Sequence, residues 1–175
     1  QSDASLSACR TYRYSLTRTW DPERLPVAFV GLNPSRGDET ENDPTLRRMM
    51  AFAHAWGAGG IVVVNLFAYR ATDPKVLLDV YYRRQYTAPS GEVCYHNGDP
   101  VGPDNDQHIR EAARSCRPLI AAWGAKGVMM LRDQQVLRML ADTPLQCLGL
   151  TKEGHPRHPL YCKRTLTPIL FRDAS

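Results

Sequence analysis

Four polar groups follow four apolar runs in this chain. The run 27–32 leads into Asn33-Pro34-Ser35, and the run 59–67 contains Asn65. The run 118–124 ends in Trp123-Gly124, and the run 145–150 is followed by a loop with three prolines that carries His155 and His158. A carboxamide presents an acceptor beside a donor and can read the edge of a flat heterocycle, but it cannot serve as a general base. An imidazole can donate to a group that gains negative charge. Asp38, Glu39, Glu41 and Asp43 add carboxylates just after the first polar group. Each residue also has a plainer reading. Asn33 and Asn65 fit turn or cap positions. Trp123 fits packing, His158 fits a surface loop, and the acidic run complements a helix N-terminus.

The elements that position these residues are legible from their periods. Residues 12–20 alternate as a strand or hairpin arm does. The four apolar runs are short and continuous, as in strands buried on both faces. Asp43 and Pro44 form an N-cap followed by proline at the first helical position, with apolar residues at helical spacing up to Trp56. Further helices are expected at about 75–83, 104–116 and 125–140. Strands alternating with helices imply a single three-layer α/β/α domain with a central, mainly parallel four-stranded sheet, an amino-terminal arm at 1–26 and an insertion loop at about 84–103. In such a sheet ligands bind beyond the carboxyl ends of the strands, where the four polar groups stand.

The chain has 175 residues, 43 % of them hydrophobic, enough for one domain with a real core. The net charge of +4 is compatible with a polyanionic partner and does not establish one. Five cysteines at wide spacing, with no C-x-x-C, argue for free thiols in a reducing cytoplasm and against a zinc or iron–sulfur framework. No apolar run approaches bilayer length and no signal-peptide pattern opens the sequence, so no membrane partner is expected and the protein is expected to be cytoplasmic. Phosphate-cradling glycine motifs and the G-x-S-x-G elbow are absent. Pro156 between His155 and His158, and Pro159 after them, argue against a metal-binding helix face, so no metal and no cofactor is expected.

The motifs have a family likeness. Gly31-Leu32-Asn33-Pro34-Ser35 resembles the first active-site motif of the mismatch-specific uracil/thymine-DNA glycosylases. The stretch 62–69, "VVVNLFAY", resembles the uracil-DNA glycosylase strand that ends in the base-reading Asn. "AAWGAKG" resembles the superfamily's Trp-Gly junction, and "GHPRHP" resembles its His-Pro motif. The span from about Tyr12 to Tyr161 also looks like a family of small bacterial proteins of uncharacterised function. The resemblance implies a uracil-DNA glycosylase-like fold and a monofunctional DNA N-glycosylase acting on a flipped base. It implies Asn33 as the residue that orients the attacking water, Asn65 as the base reader and His155 as the donor to the departing base. Gly31, Leu32, Pro34, Ser35, Phe67 and Trp123 would shape the substrate site. Uracil-specific members carry an Asp where Asn33 stands, so slower chemistry is expected unless Asp38 or Asp43 supplies the carboxylate. They also carry a Tyr where Ser35 stands, which blocks the C5 side of the base. Ser35 leaves that side open, so a C5-modified pyrimidine is the favoured substrate, and defence against phages with modified DNA is one setting for it. Tyr82, Tyr86, Tyr95 and His96, in or beside the insertion, are candidates to cover the bulky group.

DNA binding also needs phosphate contacts. Arg36, Arg47, Arg48, Arg70, Lys126, Lys152, Arg157, His158 and Lys163 are the candidates, on a protein expected to be a monomer. A non-catalytic module that binds modified DNA and a hydrolase of free nucleosides or nucleotides remain alternatives.

Overall fold

A computed structural model describes residues 1–35 and 42–174. The strands are β1 (Ser2–Leu6), β2 (Arg13–Thr19), β3 (Val27–Gly31), β4 (Gly60–Asn65), β5 (Gln85–Thr87), β6 (Val93–Tyr95), β7 (Leu119–Ala121), β8 (Leu145–Cys147) and β9 (Ile169–Arg172). The helices are α1 (Pro44–Ala55), α2 (Val76–Tyr81), α3 (Asn105–Ser115) and α4 (Arg132–Met139). The main sheet has seven strands, ordered β1-β2-β4-β3-β7-β8-β9, and not the expected four. The four expected strands are its parallel centre, β4-β3-β7-β8. The arm adds β2 antiparallel to β4 and β1 outside it, and the carboxyl-terminal segment adds β9 antiparallel to β8.

The central strands form because their residues are apolar on both sides. Every residue of β3 is buried. Val27 and Phe29 face a core shared with α1, through Leu46, Met49 and Phe52. Ala28 and Val30 face the opposite core, where Leu77, Ile109 and Val136 come from α2, α3 and α4. Helices therefore cover both faces. Burial of each large apolar side chain contributes about 1.5–3 kcal/mol. Asp43 caps α1 as its sequence predicts: Oδ1 accepts the Leu46 N–H at 2.7 Å, with Pro44 opening the helix. Among the described residues no helix is long and apolar enough to cross a membrane.

Two elements differ from expectation. The stretch expected as one helix at 125–140 begins as a 3₁₀ turn (Ala125–Leu131), in which Met130 and Leu131 are left-handed at φ 55° and 54°, and only then becomes α4. The insertion is not a bare loop: β5 and β6 pair as an antiparallel hairpin separate from the main sheet.

Connections set where a ligand can sit. From β3 the chain crosses through α1 to β4 on one side, and from β7 it crosses through α4 to β8 on the other. The order reverses between neighbours β3 and β7, and the crevice beyond their carboxyl ends is the expected ligand position.

Candidate functional site

A cavity of about 1030 Å³ opens at that point. Ligand sites run to roughly 300–1,000 Å³, so this one is large. Gly31, Leu32, Asn33 and Ser35 reach it from β3 and the turn beyond. Asp43 and Arg47 come from the start of α1, Asn65 from the end of β4, and Trp123, Gly124 and Lys126 from beyond β7. Arg157 and His158 come from the loop after β8.

Asn65 is the most informative of these. It is 5 % exposed and lines the cavity, yet its carboxamide makes no hydrogen bond among the described residues. The polar atoms of the amide are open to the cavity rather than sealed from it, so a donor and an acceptor are offered there to whatever fills it. Two features hold it there. A Cβ on Gly31 would lie 2.6 Å from Asn65 Oδ1, so glycine at the end of β3 is what makes room for the amide. Behind it, Asn105 is fully buried and its Nδ2 donates to Asn65 O and Leu66 O, both at 3.0 Å. Arg132, 4 % exposed, donates from Nε to Leu66 O at 2.9 Å and pairs with Asp106. The strained entry to α4 delivers Arg132 to that carbonyl.

Asn33 is half committed. Its Nδ2 donates to Pro34 O at 3.1 Å and Ala71 O at 2.7 Å, which leaves Oδ1 as the group able to accept from anything in the cavity. Asp43 is the single carboxylate among the described lining residues. Its Oδ1 caps α1, and its Oδ2 accepts from Ser35 Oγ in a long 3.4 Å contact.

Of the two histidines, His158 lines the cavity and His155 does not. His155 is held in a turn: its N–H donates to Thr151 Oγ1 and its carbonyl accepts from the Thr151 N–H. His158 opens the short helical turn Pro159–Tyr161, and Nδ1 accepts the Leu160 N–H at 3.4 Å. An accepting Nδ1 puts the proton of the neutral ring on Nε2. Burial lowers the His158 pKa from the usual imidazole range, and the Asp43 carboxylate pulls it partly back up.

Other expected residues divide in the same way. Arg47, Lys126 and Arg157 line the cavity, whereas Arg48, Arg70, Lys152 and Lys163 do not. Arg70 instead donates to Arg10 O beside β2. Pro34 is buried and accepts the Ala71 N–H at 2.9 Å, which shapes the turn without lining the cavity. Phe67 is fully buried in the core on the α3 side, because the chain leaves the strand after Asn65. Arg36 and Asp38 lie outside the described residues. None of Tyr82, Tyr86, Tyr95 and His96 lines the cavity, so the insertion does not cover it.

Sequence reasoning missed part of the wall. Leu16, Leu46, Met49 and Val63 extend the cavity under α1, and Arg13, 7 % exposed, stands in the same wall. The apolar four read as core from their spacing, and core and cavity wall share one pattern. Tyr161, 82 % exposed, stands at the opening. The whole offers one unpartnered amide, an acceptor from a second and an imidazole donor. Four cationic side chains against one carboxylate, among the described lining residues, suit a planar polar ring attached to an anionic chain.

No curated protein and no solved structure matches the sequence. Residues 13–160, a span that holds every cavity residue named above except Tyr161, match one family. The chain belongs to that family, described as a protein of unknown function, DUF1643.

Proposed function

We propose that this protein is a uracil-DNA glycosylase-like enzyme that hydrolyses the N-glycosidic bond of a pyrimidine flipped out of DNA. The observation that carries the reading is the Asn65 carboxamide, at a buried strand end, open to the cavity and without a partner among the described residues. An extruded base must exchange its pairing partner for protein groups, and an amide supplies a donor and an acceptor side by side. Asn33 Oδ1 accepts a hydrogen of the attacking water and holds its oxygen toward C1′. As that oxygen bonds to C1′, the bond to the base breaks, its electron pair leaves with the base, and the proton that the attacking water loses passes to solvent, which balances the charge of the departing base. His158, in the role first expected of His155, donates from Nε2 to the base oxygen that gains the charge, an effect of a few kcal/mol at about 3 Å. Ser35 and the space under α1 leave room for a C5 substituent, so a modified pyrimidine is favoured over plain uracil. Arg47, Lys126 and Arg157 then meet the phosphates.

The test is a base-release screen on duplexes carrying uracil, thymine mismatches or C5-modified pyrimidines, read as alkali-cleavable abasic sites. Asn33→Ala, Asn65→Ala and His158→Ala are the controls. Abasic sites that vanish in the Asn65 and His158 variants support the proposal. A second reading, a module that binds modified DNA without cutting it, draws on the commitment of Asp43 to the α1 cap and Ser35. Tight, base-specific binding without abasic sites would establish it. Base release from free nucleosides alone would overturn both.

A further inference from the structure

The hairpin β5–β6 has two strands of three residues, exposed along most of their length. A lone pair of such strands is marginal in water. This pair is held by its root. His96 stacks on Tyr86 at 4.6 Å and meets the Tyr69 hydroxyl at 3.4 Å through Nδ1. Asn97 Nδ2 donates to Tyr12 OH at 2.6 Å, and that hydroxyl donates to Asp99 O at 2.8 Å. The Ala68 and Tyr69 N–H groups donate to Val101 O and Pro100 O. Residues 68 and 69 lie in sequence between the cavity residues Asn65 and Ala71, so the root of the hairpin is fixed to the segment that carries them.

What it presents is aromatic and basic. Five tyrosines of the chain are exposed: Tyr86 and Tyr95 lie in the hairpin, Tyr81 and Tyr82 lie at the end of α2 that leads into it, and Tyr161 lies elsewhere. Tyr95 is 70 % exposed, and its ring makes no hydrogen bond or ring contact among the described residues. The register puts Val93, 57 % exposed, on the same face. Tyr82 is 62 % exposed, with the Arg84 guanidinium 5.7 Å from its ring centre and paired with Asp79 at 2.9 Å. Arg83 is exposed and makes no ion pair among the described residues. Core packing explains Tyr86, which stacks on His96, but does not explain Tyr82 or Tyr95.

We infer that this hairpin, with the end of α2 that leads into it, is a second nucleic-acid contact, on which unpaired bases of a DNA strand stack against Tyr82 and Tyr95 while Arg83 meets the backbone. Exposed aromatic rings with interleaved cations are the composition that single strands bind, because every base offers a π face. The choice of DNA rests on the reading of the cavity as a nucleotide site. Lys126 and Arg157 on that cavity extend the same complementarity to phosphate.

The experiment uses the full chain and a labelled oligodeoxyadenylate, which holds no pyrimidine to release. Affinity is read by fluorescence anisotropy for wild type, Tyr82→Ala, Tyr95→Ala and Tyr95→Phe. Each alanine variant is expected to bind roughly five- to a hundredfold more weakly, with Tyr95→Phe near wild type. Both positions are exposed, so thermal unfolding should be unchanged. Equal affinity across the series would overturn the inference. A shift in sedimentation coefficient with unchanged DNA affinity would also overturn it, by assigning the surface to a second copy of the chain. Base release from a duplex substrate is measured alongside. If wild type releases no base while tyrosine-dependent binding persists, the hairpin contact stands and the glycosylase reading falls.

Discussion

Replacing Gly31 with alanine tests the site with a single methyl group. The new Cβ would lie 2.6 Å from Asn65 Oδ1, and a carbon and an oxygen rest no closer than about 3.3 Å, so the oxygen has to retreat by about 0.7 Å. The next atoms in reach are farther, Asn65 Cγ at 3.7 Å and Val64 O at 3.8 Å. What gives way is therefore the end of a side chain rather than backbone. Stability should hardly notice, because losing a glycine from the unfolded chain offsets about 0.4–1 kcal/mol of strain. A change in Tm of no more than about 3 °C is expected for a chain of this size. Function should notice a great deal, since displacing a reading group by most of an ångström costs on the order of 100-fold in kcat/KM. Base release on the best substrate of the screen, beside a thermal melt of the same preparation, reads both quantities. The double variant Gly31→Ala/Asn65→Ala should be no worse than Asn65→Ala alone, because the methyl acts only through that amide. Full base release by Gly31→Ala would refute the placement of Asn65 as reader. So would a large drop in Tm with proportionate loss of activity, which would mean that the strand itself had moved.

Other perturbations separate the remaining parts of the site. Asn105→Ala strips Asn65 O of its buried donor and leaves Leu66 O with Arg132 alone. A loss of about 2–3 kcal/mol in urea unfolding is expected. His158 is depressed by burial, so its neutral form is the one that folding favours. Its contribution to stability is complete above the unfolded value of about 6.5 and is lost as pH falls through and below it. Wild type should therefore lose more stability than His158→Gln between about pH 7 and pH 5, by chemical denaturation at each pH. Lys126→Ala and Arg157→Ala should each weaken DNA binding across sequences and lower the slope of log affinity against log salt by about 1, measured by titration at several salt concentrations.

The parts of the fold that sequence reveals are those in which burial acts on consecutive residues. β3, β4, β7 and β8 are apolar on both faces, and Asp43-Pro44 marks the start of α1 through its own chemistry. β1 and β9 sit at the two edges with one neighbour each: β1 is mostly polar, and β9 is apolar in Ile169, Leu170 and Phe171 but only four residues long. β5 and β6 are too short for their alternation to stand out from the surrounding Gly, Pro and Ser. For the site, the strand ends named the right loops, but not which side chain in a loop turns inward. Thr151 holds His155 by two hydrogen bonds, and buried Pro159 follows His158 into a helical turn. That choice depends on turn geometry three residues wide and leaves no mark on composition.

Three asparagines at this end of the sheet separate architecture from ligand binding. Asn105 is architectural through its amide nitrogen: it is fully buried, with Nδ2 donating to the carbonyls that end β4, while its Oδ1 has no partner among the described residues. Asn33 is divided, with its hydrogens closing the turn and its oxygen left over. Asn65 gives the fold nothing from its side chain, although it is 95 % buried and a glycine is kept beside it to make room. The plain reading of an asparagine after a strand, that it satisfies local backbone, therefore holds for Asn105 and half of Asn33 and fails for Asn65. The polar atoms of Asn65 are open to the cavity rather than sealed from it. A valine or leucine there would continue the apolar run 61–64 and leave the cavity wall without a polar group at this point. The amide instead turns a donor and an acceptor toward whatever fills the cavity, and the occupant that matches both must offer an acceptor and a donor at one edge.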